Sequence, residues 1–191
     1  EFLKQNNGLI FDPRFNPSGQ PRLGMGYMVL GIVAILNKLG FINVADEEIT
    51  QSISEVKNSQ EEIKSQAQEL AKKIQGSIPV IFAAEFLVGN AHILRNQFNE
   101  TSKSFSASSP LPELNHHLME GLKNPPDKKL FVLFISSDLY SDKLQKRVEL
   151  TKDVVSKNSI SFDEYKPAGT TKLSQILNVL SFGGYLTLFL A

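Results

Sequence analysis

The 191-residue chain contains no cysteine. That excludes disulfides, thiolate catalysis and cysteine-held metals, and it fits a cytoplasmic protein. Charge of one sign is also missing: 20 basic side chains face 20 acidic ones, with no long basic block. Nothing therefore points to a nucleic-acid partner or to an anionic membrane surface. Long apolar runs are absent as well. The longest, Met28 to Leu36, is broken by Gly31 and falls well short of the roughly 18 residues that a membrane span needs. Glu1-Phe2-Leu3-Lys4 lacks the charged, apolar and small-residue order of a signal peptide. The chain starts without methionine and stops at Leu188-Phe189-Leu190-Ala191, inside an apolar run. Both ends are therefore expected to be cut from something longer.

Several catalytic and cofactor motifs are missing too. Gly24-Met25-Gly26 starts like a dinucleotide fingerprint, but Val29 stands where the third glycine belongs and no strand precedes the turn. Gly26 and Gly31 have phosphate-loop spacing, yet Ile32 occupies the lysine position. There is no Gly-x-Ser-x-Gly elbow. His116-His117 has no third ligand at metal spacing and His92 belongs to another helix, so no metal site is expected.

Residues 1 to 22 carry turn chemistry: Asn6-Asn7-Gly8, Asp12-Pro13, Asn16-Pro17-Ser18-Gly19 and Pro21. A helix is predicted from about Leu23 to Leu39, stopped by Gly40. A longer one follows. Ile49, Ile53, Val56, Ile63, Ala67, Leu70 and Ile74 recur at three-and-four spacing, with Asp46 as N-cap and Gly76 as C-cap. Its polar outer face reads as a connector over residues 41–75. Beyond Gly76 the pattern alternates. Strands are predicted at Ile78–Phe82, Ser104–Ala107, Leu130–Ile135 and Ser161–Tyr165. Helices are predicted over Ala84–Phe98 and Leu111–Leu122, on a Leu144, Val148, Thr151, Val155 face, and from Leu173 onward. Leu130–Ile135 is apolar on both faces, which predicts a central parallel strand. The fold class is α/β, a three-layer α/β/α sandwich with a mainly parallel sheet.

Two polar runs carry the chemistry. Gln97-Phe98-Asn99-Glu100 closes one helix and Pro112-Glu113-Leu114-Asn115-His116 opens the next. A carboxylate and an imidazole are the minimal kit for moving protons on a small substrate. Together with Gln20-Pro21-Arg22, Ile78-Pro79-Val80-Ile81 and the helix from Gly169 to Ala191, these words resemble the bifunctional phosphoglucose/phosphomannose isomerases, which are built from two sugar isomerase (SIS) domains. The resemblance implies that residues 1–40 are the tail of an N-terminal SIS domain and that 76–191 are a C-terminal SIS domain without its last tail.

The resemblance also implies interconversion of glucose 6-phosphate or mannose 6-phosphate with fructose 6-phosphate through a cis-enediol, in a homodimer with a shared active site and with no cofactor. By position, Glu100 is the proton-shuttling base. His116 assists ring opening and comes from the partner subunit. Arg22 sits near the enediolate oxygen. Asn99 and Asn115 are candidate substrate-binding residues, with helix capping as the plainer reading. Lys103 and the Lys143, Lys146, Arg147 cluster read as surface. The family's Ser/Thr/Gly phosphate loop and C-terminal lysine have no counterpart here. His117-Leu118 and Gly184 also depart from the usual residues. The competing reading is a non-catalytic SIS module that binds sugar phosphates for regulation, since the fold serves both.

Overall fold

The computed structural model describes residues 8–125 and 129–191. The Asn6-Asn7 turn and the Glu1–Lys4 segment lie outside the described residues. The chain divides into two compact units, Glu1–Ile49 and Thr50–Ala191.

In the first unit a 3-10 turn, Pro21–Leu23, precedes helix α1, Met25–Lys38. Neither contains a buried residue. Phe11 stacks on Tyr27 with ring centroids 5.0 Å apart, and the Tyr27 hydroxyl accepts from the Phe15 N–H at 3.1 Å. Leu9, Phe11, Leu23, Tyr27 and Leu30 line an open apolar groove of about 410 Å³.

The single connecting helix expected before the sandwich is two helices, α2 (Asp46–Asn58) and α3 (Gln60–Ile74). The break falls at Ser59. Its hydroxyl donates to the carbonyls of Glu55 at 2.9 Å and Val56 at 3.3 Å, the local competition that makes serine a poor interior helix residue. The apolar spacing runs straight through this turn, so periodicity alone could not reveal it. Ile63, Ala67, Leu70, Ala71 and Ile74 on α3 are buried. Gly40 and Gly76, the expected helix stops, both have positive φ, +74° and +79°.

The second unit holds a four-stranded, all-parallel sheet in the order β2-β1-β3-β4. The strands are β1 (Ile78–Ala84), β2 (Ala107–Leu111), β3 (Leu130–Ile135) and β4 (Ser161–Tyr165). The helices are α4 (Val88–Glu100), α5 (Leu114–Gly121), α6 (Asp142–Lys157) and α7 (Lys172–Phe189), with a 3-10 turn at Glu85–Leu87 before α4. Helices α3, α4 and α7 pack together on one face, and α5 and α6 on the other. That is the three-layer arrangement which parallel strands and right-handed crossovers require.

β3 is central, as its two-faced apolar sequence predicts. Phe134 lies opposite Phe82 on β1, the rings edge to face at 5.5 Å. The second strand starts three residues later than expected. Pairing of Val80 with Ala107 through Ala84 with Leu111 overrides the low strand propensity of a segment that includes Pro110, which an edge strand tolerates.

The last helix brings an unpredicted polar layer into the core. Ser174, Gln175 and Asn178 are buried. Asn178 Oδ1 accepts from the Tyr165 hydroxyl at 2.5 Å, and Asn90 Nδ2 donates to the Ile176 carbonyl at 2.9 Å. Gly183 lets α4 and α7 approach. A Cβ there would collide with Gln97 Oε1 and come within 2.9 Å of Leu94 Cδ1.

Candidate active site

In a parallel β/α unit the chain climbs each strand and descends each helix. Glu100 is the last residue of α4, so it sits where the chain is about to enter β2 from below. His116 is the third residue of α5, just past the upper end of β2. Three hydrogen bonds fix these ends. Asn99 Nδ2 donates to the Arg95 carbonyl at 2.8 Å and to the Ser106 carbonyl, one residue before β2, at 3.2 Å. Beyond β2, the His116 N–H donates to the Glu113 carbonyl at 2.9 Å. The five residues of β2, at roughly 3.3 Å each, keep the two ends roughly 16 Å apart. Glu100 and His116 of the same chain therefore do not face one cleft.

Both side chains are exposed, and among the described residues neither the Glu100 carboxylate nor the His116 ring has a hydrogen-bond or ion-pair partner. The adjacent His117 differs: its Nε2 lies 2.7 Å from Glu113 Oε1, one helical turn back. Asn115 is half-buried and committed to α6. Its Nδ2 donates to Thr151 Oγ1 at 2.9 Å and to Met119 Sδ at 2.8 Å, which fixes the turn that carries His116. Lys143, Lys146 and Arg147 line a groove of about 400 Å³ beside it. In the first unit, Arg22 Nη1 donates to Gln20 Oε1 at 3.0 Å.

Open α/β sheets bind ligands above the carboxyl ends of the strands, where the strand order reverses. Here that point lies between β1 and β3, and the chain fills it with its own groups. The Tyr140 hydroxyl accepts from the Ala84 N–H and donates to the Ile135 carbonyl, both at 3.1 Å. Burial raises the Tyr140 pKa, so the group stays a neutral donor. Glu85 Oε1 accepts from the Ser141 hydroxyl at 2.9 Å and its N–H at 3.2 Å, at the start of α6. Ser137 Oγ donates to Gln175 Oε1 at 2.5 Å. Sequence reasoning missed these residues. Their one signal was position, in the loops that follow the two most apolar strands.

Next to this crevice, Lys152 lies 2.6 Å from Glu164 and 2.7 Å from Glu149, and Ser136 Oγ donates to Glu164 at 2.5 Å. Burial opposes the charge on both Lys152 and Glu164. Their mutual attraction and hydrogen bonds outweigh it, so the lysine pKa rises and the Glu164 pKa falls.

Residues 63–191 match the family model described as the bacterial phospho-glucose isomerase C-terminal SIS domain. The chain is 30% identical to a bifunctional phosphoglucose/phosphomannose isomerase of Aquifex aeolicus (strain VF5), over 92% of this chain and 53% of that protein. It is 26% identical to the protein of the same name from Caldicellulosiruptor bescii, over 95% of this chain and 57% of that one. The chain thus spans about half the length of the curated relatives it matches. Among solved structures, a glucosamine-6-phosphate deaminase from Thermotoga maritima superposes with a TM-score of 0.58 at 15% identity, over 95% of this chain and 51% of that one. That likeness concerns the fold.

Proposed function

The chain belongs to the family of bacterial phospho-glucose isomerase C-terminal SIS domains, and from that premise we propose that it serves an aldose–ketose isomerase of phosphorylated hexoses. The substrates are glucose 6-phosphate or mannose 6-phosphate and the product is fructose 6-phosphate, or the reverse. The protein acts as a cytoplasmic homodimer without a cofactor. Residues 1–40 are the tail of an N-terminal SIS domain, 41–75 the joining segment, and 76–191 the C-terminal SIS domain. Helix α3 doubles as an outer helix of that domain.

One observation carries the reading. Among the described residues, a carboxylate and an imidazole without a hydrogen-bond or ion-pair partner stand at opposite ends of β2. Neither is used to hold the fold, and one chain cannot bring them to one substrate. Two chains can, with Glu100 from one protomer and His116 from its partner.

The chemistry follows from the groups. The imidazole transfers a proton between the C1 hydroxyl and the ring oxygen, and the sugar opens. The Glu100 carboxylate then takes the C2 proton of the aldose, which is only weakly acidic. The electron pair moves into the C1–C2 bond and charge builds on the C1 oxygen, giving the cis-enediol. The O2 hydroxyl proton passes to O1, the C2 oxygen becomes the carbonyl, and the same carboxyl returns its proton to C1, giving the ketose. A carboxylate manages this only if fixed positive charge meets the developing oxyanion; the family resemblance assigns Arg22 that part, and its guanidinium stays charged at any working pH. Asn99 holds the end of α4, and Asn115 holds the turn of α5 that bears His116.

A coupled assay for fructose 6-phosphate to glucose 6-phosphate tests the reading, on this chain and on an extended chain supplied with an N-terminal SIS domain and the family's C-terminal tail. Turnover is expected in the extended chain, falling about 100-fold or more in Glu100→Gln, the range of a lost general base. Binding of sugar phosphate without turnover would instead identify a regulatory module.

A further inference from the structure

The turn after Glu100 is held in an unusual way. The Thr101 N–H donates to the Gln97 carbonyl at 2.8 Å, and the Ser104 N–H to the Phe98 carbonyl at 3.1 Å. Ser102 Oγ donates to the same Phe98 carbonyl at 2.8 Å. Between them, Lys103 adopts φ +54°. Just beyond a helix, that left-handed conformation normally falls to glycine or asparagine, because a larger side chain crowds the backbone. A lysine kept there is a steric cost with no packing return, since the residue is exposed.

Its ammonium accounts for the choice. Lys103 Nζ folds back and donates to the backbone carbonyl of Glu100 itself, at 2.8 Å. This carbonyl is one of the last four of the helix, which have no partner within it. The bond places a positive charge at the end of α4 where the helix dipole favours one, beside a carboxylate that the same dipole disfavours. On the other side of Glu100, Asn99 ties the helix to the entry of β2.

We propose that Lys103 is a positioning residue for Glu100, and that its ammonium, anchored on the Glu100 carbonyl, fixes the last turn of α4 and so the aim of the carboxylate. The proposal rests on the isomerase reading above. Lys103 touches no reacting atom. Its effect is on where the base points, and it belongs to the chemical step more than to substrate binding.

The test uses the extended, active protein with Lys103→Gly and Lys103→Arg. Glycine accepts the left-handed turn freely, so Lys103→Gly removes the ammonium and leaves the backbone at least as stable. The expected result is a kcat lowered about 10-fold or more, KM within about twofold and no fall in Tm. Lys103→Arg should stay within about threefold of the unsubstituted kcat, since guanidinium reaches the same carbonyl. An unchanged kcat in Lys103→Gly would overturn the proposal. So would equal losses of kcat and Tm in both variants, the mark of a purely structural residue. No turnover in the unsubstituted extended protein would remove the isomerase reading itself, and the proposal with it.

Discussion

The two units treat similar apolar side chains in opposite ways. In Thr50–Ala191, Phe82, Phe134, Phe98 and Phe182 are fully buried between the sheet and its helices. In Glu1–Ile49, Phe15 and Phe41 are more than three-quarters and three-quarters exposed, at 78% and 75%, and Ile32 and Ile35 on α1 are open to solvent. The second unit closes a core from its own sequence. Among its described residues the first has a helix and a stacked aromatic pair but too few layers to cover them, and an apolar helix face without a second layer contributes little to folding.

The sharpest way to break this comparison is to remove matched apolar groups. Phe134→Ala should cost about 3–5 kcal/mol in chemical denaturation, because it empties a fully enclosed site. Ile32→Ala, at a residue 54% exposed, should cost less than about 0.5 kcal/mol. Similar losses from the two would mean that the first unit has a core of its own.

A finer contrast lies within α7. Gly183→Ala pushes a methyl group into Gln97 and Leu94 and should cost about 1–3 kcal/mol. Gly184→Ala meets nothing within 4 Å and should be neutral, or stabilising by up to about 1 kcal/mol. Equal effects in thermal melts would contradict the close α4–α7 approach.

The smallest effect concerns α2, whose later turns hold the sandwich through polar contacts. Glu55 accepts from the Thr170 hydroxyl at 2.8 Å and the Thr170 N–H at 3.1 Å. These bonds lower its pKa to about 2 from an ordinary value of 4.5. The folded state therefore binds this proton less tightly than the unfolded chain does. The contribution is complete above about pH 4.5 and disappears as pH falls toward 2. Glu55→Gln should flatten stability against pH across that window, and an unchanged acid limb would remove Glu55 from the account.

Much of the sandwich was legible because parallel strands are written as short apolar runs. β3 and β4 fall on their expected residues, and β1 extends two beyond. What escaped depended on partners far away in sequence. The register of β2 is set by β1. The polar side of α7 is matched to Tyr165, Ser137 and Asn90, none of which a helical periodicity can reveal. The site divides in the same way. Glu100 and His116 are visible as residue types at element ends. Their separation is a consequence of parallel topology, and the left-handed turn at Lys103 is a matter of backbone that side-chain chemistry hides. The filled crevice at Tyr140 and Glu85 joins loops more than fifty residues apart.

The central claim is that one chain supplies the carboxylate and its partner the imidazole. Mixing inactive Glu100→Gln and His116→Ala versions of the extended protein, with subunits allowed to exchange, tests it most directly. Randomly paired protomers place one intact site of two in half of the dimers, so the account predicts recovery of about a quarter of the unsubstituted turnover. If both residues act within one chain, every site in the mixture stays defective. Turnover that remains at the level of the separate variants would contradict the shared site.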